Sequence, residues 1–224
     1  DTGMGTIALG NGVDSAVDGM DGSPACFSLN LCGSAMNANY NDGDAASGNS
    51  IGYSNSIGGI SFAVTRGMEV AAADAVATTA TAIGTAAVEG MEPVTSVAAS
   101  TSIMGATVKA GVSQIDNKGA TADTDPNFVT VGYSLAGLSL GYAMYDGDNG
   151  GEETQMGVGT SLMGMSVGVT FADADLATDV DYTMISASKG MGAASFGIDY
   201  TETDVAGTDT GDSDAWQFTY VVGF

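Results

Sequence analysis

The run Trp216-Gln217-Phe218-Thr219-Tyr220-Val221-Val222-Gly223-Phe224, at the end of the chain, decides the fold. An extended backbone turns successive side chains to opposite faces. Trp216, Phe218, Tyr220, Val222 and Phe224 therefore share one face, and Gln217, Thr219, Val221 and Gly223 share the other. One face is large and aromatic and the other is mostly small or polar, so the strand calls for an apolar medium on one side only.

Working back from that end, the same division recurs. Val129, Val131, Tyr133 and Leu135 oppose Thr130, Gly132 and Ser134, while Leu138, Leu140, Tyr142 and Met144 oppose Ser139, Gly141 and Ala143. Only Ala136-Gly137 lies between these runs, which predicts a tight antiparallel hairpin. Similar short turns are expected at 56–58, 103–105, 163–164 and 190–192. Longer acidic, Gly-rich connections are expected at 116–125, 146–153, 172–179 and 201–214. Strict alternation of short and long connections is how a membrane barrel sorts periplasmic turns from external loops. The reading is an all-β, antiparallel transmembrane β-barrel with about twelve visible strands, starting near Gly5. Residues 93–102 form the weakest strand. The Ala/Thr-rich stretch 71–90 is expected to be a long loop with a helical turn, in preference to a pair of weak strands.

Composition narrows the function. Nothing in the 224 residues marks a second domain, so residues 1–224 are read as one unit. No apolar run reaches the eighteen or so residues a spanning helix needs, so a membrane role requires strands. Lys and Arg total 4 against 27 Asp and Glu, a formal charge of −23, which excludes a partner bound through its phosphates, nucleic acid above all. There is no His and there are only two Cys. The usual groups for imidazole, thiol or metal-activated catalysis are thus scarce, and no enzyme is expected. An outer-membrane barrel protease or phospholipase would want a His beside its Ser or Asp. The rival of another class is a non-channel protein of the outer membrane, or a secreted acidic β-protein such as an adhesin or surface-layer module.

Three stretches carry a resemblance to a known family. The terminal run 216–224 resembles the C-terminal signature of outer-membrane proteins, whose last strand ends in Phe. The opening Gly5-Thr6-Ile7-Ala8-Leu9-Gly10-Asn11-Gly12, with Asp14-Ser15 and Asp18-Gly19, resembles the strand that leads into the inward-folded loop of general Gram-negative porins. Residues 49–62, with Tyr53 and Gly58-Gly59 before Phe62, resemble the hairpin that follows it. The resemblance implies a passive diffusion channel for small hydrophilic solutes and ions, integral to the bacterial outer membrane and homotrimeric. It also implies assembly by the machinery that reads Trp216, Phe218, Tyr220, Val222 and Phe224. In that family the strand before the inward loop is the fifth of sixteen, so the visible strands would be the last twelve, with about four N-terminal strands missing. A complete twelve-stranded barrel is the alternative.

The constriction loop is then expected at residues 11–48. Asp14, Asp18, Asp21, Asp42 and Asp44 fall in it, and if they line a narrow passage they favour cations. Solvated turn residues are the bland reading of the same acids. Cys26 and Cys32 lie in the same loop and are expected to pair in an oxidising periplasm, with two free thiols as the alternative. Lys109 lies on the small-residue face of 106–112 and is expected to point into the lumen. Arg66 shares a face with Ile60, Phe62 and Val64 and is expected to snorkel to the outer interface. Lys118 and Lys189 read as solvated. The family's hairpin commonly carries basic residues where this chain has Ser50 and Ser54. The run Asp146, Asp148, Glu152, Glu153 is spaced somewhat like a calcium loop but lacks its twelve-residue pattern. An acidic solvated loop is the preferred reading, weak Ca²⁺ binding the lesser one, and no other cofactor is expected. Tyr53, Tyr133, Tyr142, Tyr200, Trp216 and Phe224 are candidates for aromatic girdles, and Met144, Met156 and Met165 for apolar filler on the lipid face.

Overall fold

The computed structural model describes residues 3–11, 16, 17, 20, 22–27, 49–67, 94–115, 125–147, 151–175, 179–207 and 211–222. The described chain is built from strands: β1 (Thr6–Asn11), β2 (Asn49–Ile57), β3 (Ile60–Gly67), β4 (Val94–Ile103), β5 (Ala106–Ile115) and β6 (Asn127–Leu135), followed by β7 (Leu138–Asp146), β8 (Glu152–Leu162), β9 (Met165–Asp175), β10 (Val180–Met191), β11 (Ala194–Val205) and β12 (Ser213–Val222). They form one sheet in chain order from β1 to β12, so each strand bonds to its sequence neighbours. Every pairing is antiparallel. The expected strand count and order are therefore seen, including the weak strand at 94–103. Residues 71–90 lie outside the described residues.

All five hairpins close through two residues, and the backbone shows why. Gly58-Gly59, Met104-Gly105, Ala136-Gly137 and Met163-Gly164 each place both residues at positive φ, between 51° and 86°. That is the type I′ turn, whose twist matches the right-handed twist of the strands it joins. Met104, Ala136 and Met163 carry a Cβ into the left-handed region, at about 1–2 kcal/mol each. Gly192 alone is positive in the fifth turn, as a type II′ turn requires. Two expected turns shift by a residue: β2 runs through Ile57 to a Gly58-Gly59 turn, and β10 runs through Met191. Neighbouring strands brace the turns, since the Thr101 hydroxyl donates to the Gly59 carbonyl at 3.2 Å and the Thr160 hydroxyl to that of Gly137 at 3.1 Å.

Three of the four acidic connections are shorter than the sequence suggested. β9 continues through Asp175, β11 continues through Val205 and β12 begins at Ser213. Residues 172–175 and 201–205 are strand because the two-residue period survives there: Ala172 and Ala174 are buried while Phe171 is exposed. The outward residues Asp173, Asp181 and Asp204 stand in register across β9, β10 and β11. Acid content imitated a loop where only the outward row had changed from apolar to charged.

Below those acids the outward row is apolar. Leu140, Val158, Val169, Ile185, Tyr200 and Trp216 are successive register partners across β7 to β12. The Tyr200 and Trp216 rings lie 4.9 Å apart. Ile7, Leu9, Ile51, Met156, Phe171, Phe218 and Tyr220 are exposed on the same side. An apolar band this continuous requires an apolar medium. Among the described residues no helix is long and apolar enough to cross a membrane. Arg66 stands on this outer side near the end of β3, in register with Ile51, and donates to the Thr95 hydroxyl at 3.1 Å.

The connection after β9 carries a pH-sensitive acid. Asp179 has its pKa raised above the ordinary 3.8, first by the charge of Asp175, then by a hydrogen bond to it, then by burial and the charges of Asp173 and Asp181. The folded chain therefore binds more protons here than the unfolded one, so this group's contribution to stability grows as pH falls through the raised value towards 3.8 and is lost as pH rises again. Replacing Asp175 with Asn is expected to return the Asp179 midpoint towards its ordinary value in a carboxyl NMR titration. An unmoved midpoint would refute the pairing.

Candidate functional site

The inner face of the sheet is covered by part of the segment between β1 and β2. Ser23-Pro24 starts a turn in which the Cys26 amide donates to the Ser23 carbonyl at 3.4 Å and the Ala25 amide donates to the Ser23 hydroxyl at 3.2 Å. Pro at the second turn position and Ser at the first favour that geometry. A second turn bonds the Met20 amide to the Val17 carbonyl at 2.8 Å. The segment meets the wall in two places.

The first contact is apolar. Ala16 and Val17 are buried with Ala98, Phe128, Ala143 and Tyr145, and Met20 packs at the margin. The Ala16 amide donates to the Ser96 hydroxyl at 3.0 Å. The second contact crosses β6 to β10. Pro24 lies over Gly132 and Gly141, Ala25 over Gly141 and Gly157, and Phe27 over Gly159 and Gly168. The Thr170 hydroxyl donates to the Ala25 carbonyl at 2.7 Å in a buried position. Cys26 packs with Ala172, Met184 and Tyr182. Beside Phe27, towards the two-residue turns, a recess of about 210 Å³ is lined partly by Ser139, Ser161 and Ser166. The inner face is thus small and hydroxylated where it is open, and glycine-rich where the segment rests.

A sheet with an apolar outer band and a segment folded onto its inner face is the geometry of a narrowed pore wall. The profile of the family described as Gram-negative porin matches residues 1–223. The chain belongs to this family. Its fold is shared with a porin refined at 1.8 Å (TM-score 0.64, 16% identity, 99% of this chain and 79% of that one). It is shared also with an anion-selective porin from Comamonas acidovorans (TM-score 0.51, 15% identity, 78% of this chain and 55% of that one). A third likeness is OmpT of Vibrio cholerae, expressed in the outer membrane (TM-score 0.57, 14% identity, 92% of this chain and 68% of that one). No curated protein matches the chain. As a porin the chain is an integral outer-membrane β-barrel protein that serves as a channel.

The expected site residues are distributed unevenly over this porin wall. Lys109 is on the face of Gly111 and Ser113, with Ser100 and Thr130 as register partners, and thus on the lumen side. Among the described residues it is the one basic side chain on that face. Asp14, Asp18, Asp21, Asp42 and Asp44 lie outside the described residues, as do Asp148, Lys118 and Phe224. Cys26 is disulfide-bonded, and the chain's other cysteine, Cys32, also lies outside them. Trp216, Phe218, Tyr220 and Val222 face outward on β12.

The calcium-like run divides between the faces. Asp146 and Glu152 are register partners on the outer side, where Asp146 accepts from the Asn127 amide group at 3.1 Å. Glu153 is buried on the inner side and accepts from Gln155 at 2.6 Å. Adjacent residues of a strand point opposite ways, so Glu152 and Glu153 do not converge. Among the described residues no group of three or more acids, His or Cys is placed to hold a metal ion.

Sequence reasoning passed over three inner-face residues. Phe128 and Tyr145 are register partners whose rings stack at 6.5 Å, and both interrupt the otherwise small lumen face of β6 and β7. Asp199 is a buried acid on the same face of β11 as Gly197 and Thr201. The available signal was position: each falls on the small-residue side of its own strand.

Proposed function

We propose that this porin admits small hydrophilic solutes passively, without chemistry, and favours cations. The observation that carries the reading is that residues 16, 17 and 22–27 lie on a hydroxyl- and glycine-lined inner wall, opposite a continuous apolar band. Such a passage is wet, narrow and bounded by low-dielectric walls, so fixed charge acts over its whole width. The formal charge of −23 supports attraction of cations. The anion selectivity of the Comamonas acidovorans porin belongs to that protein and makes selectivity the property to measure. Homotrimeric assembly and delivery by the barrel-assembly machinery are part of the proposal, supported by family membership and by the outward aromatic row of β12.

Closure of the barrel is also proposed. Among the described residues β1 bonds only to β2, and β12 only to β11. A free strand edge in hydrocarbon costs several kcal/mol per unpaired group, so both edges need partners. β1 and β12 run in opposite directions, and direct pairing or an even number of added strands keeps every neighbour antiparallel. Sixteen-stranded closure adds four.

The test is the conductance of the porin in a planar bilayer, with the reversal potential taken under a KCl gradient. Triplet steps and a potential of cation-selective sign are expected. Anion-selective sign overturns the cation preference, and folded protein without conductance overturns the channel in favour of an adhesin-like barrel.

A further inference from the structure

We propose that the aperture of this porin is set by contact rather than by charge. Its inward segment is positioned by a seat on β7, β8 and β9 from which side chains are missing, and Gly141, Gly157 and Gly168 are positioning residues for permeation. The inference rests on the channel reading above.

The described part of the segment around the seat, residues 22–27, contains no charged side chain. What holds these residues on the wall is shape, one hydroxyl and the packing of disulfide-bonded Cys26 against Ala172 and Met184. A methyl group at Gly141 would fall on the Pro24–Ala25 backbone, one at Gly157 on the Ala25 carbonyl oxygen, and one at Gly168 on the Cβ of Phe27. Two of these obstacles are backbone and the third is the stem of a side chain, so none can swing aside. The segment would have to lift from the wall. Between these contacts the Thr170 hydroxyl holds the Ala25 carbonyl at 2.7 Å, which fixes the segment's position along the strands as the glycines fix its height.

Such a seat has a different signature from a constriction held by ion pairs. Salt screens charged contacts and leaves steric ones unchanged. The position of the segment, and with it the cut-off for neutral solutes, should be indifferent to ionic strength yet sensitive to single methyl groups. Gly190 on β10 supplies the control, because a methyl there meets nothing within 4 Å.

The experiment compares the parent porin with Gly157→Ala, Gly168→Ala and Gly190→Ala. Single-channel conductance is read at low and high KCl, neutral-sugar entry by liposome swelling, and folding by heat-modifiable electrophoretic mobility. Lifting the segment towards the lumen narrows the passage, so Gly157→Ala is expected to lower conductance by roughly a third or more, as flux follows the free cross-section. It should exclude larger sugars at both salt concentrations while keeping folded mobility, with Gly190→Ala behaving as the parent. Should Gly157→Ala not fold, Thr170→Val and Thr170→Ser give the same test. Val keeps the shape and loses the hydrogen bond, which should raise open-channel noise, and Ser should restore the parental trace. Parental conductance in the folded variants of a conducting parent overturns the inference, as does an effect that vanishes at high salt. A parent that does not conduct overturns the channel reading instead.

Discussion

Replacing Phe128 with Ala is expected to destabilise the folded barrel by about 3 kcal/mol, the lower part of the range for a buried Phe, since the site is open to partial collapse of the segment above it. Phe128 is 1% exposed. Its ring stacks on Tyr145 and packs with Val17 and Ala98, and a methyl group at Gly111 would strike it. The truncation removes the surface on which Ala16 and Val17 rest, so open-channel noise should rise along with the loss of stability. Urea unfolding of the porin from lipid vesicles measures the first effect and planar-bilayer recording the second. A loss below about 1 kcal/mol would mean that the cluster is peripheral to the fold.

A charge placed on either face of β10 should have very different costs. Ile185 faces outward between its register partners Val169 and Tyr200, while Ser188 faces inward between Ser166 and Gly197. Ile185→Arg is expected to cost about 2–4 kcal/mol, the value for Arg near the midplane on a lipid-facing strand position. Ser188→Arg should be nearly neutral for stability and should move the reversal potential towards anions. Equal costs in vesicle unfolding would show that the faces are assigned wrongly, and an unmoved potential would place Ser188 off the conduction path.

Most of the sheet was legible in the sequence because each strand separates two solvents. Lipid selects large apolar residues and lumen water selects small or polar ones, and the two alternate with a period that survives without knowledge of the fold. Leu138, Leu140, Tyr142 and Met144 declare their face locally, and Ala136-Gly137 declares its turn. The upper part of β9 did not, because Asp173 and Asp175 obey the same period in a polar medium, where the outward residue no longer looks apolar. The seat was less legible still. Gly157 reads as one more small inner residue until the chain more than a hundred positions earlier is brought onto it, and nothing near Gly157 in the sequence encodes Pro24 or Phe27. Phe128 and Tyr145 were readable in principle, as paired exceptions to the face rule. Lys109 was placed on its face by period alone.

The change of the outward row from apolar to acidic also fixes how deeply the molecule is immersed. On β9 the apolar outward positions occupy 165–171 before Asp173, and on β11 they occupy 194–200 before Glu202. At about 3.3 Å per residue this is roughly 20 Å along the strand, and less in height once the strands tilt by about 40°. The hydrocarbon of an average bilayer is thicker, about 30 Å. Local thinning of the lipid around β9 and β11 is one way to meet so short an apolar face, at a fraction of a kcal/mol per Å of mismatch. The acidic row acts as a waterline, and it suits the chain to a membrane thinner than most.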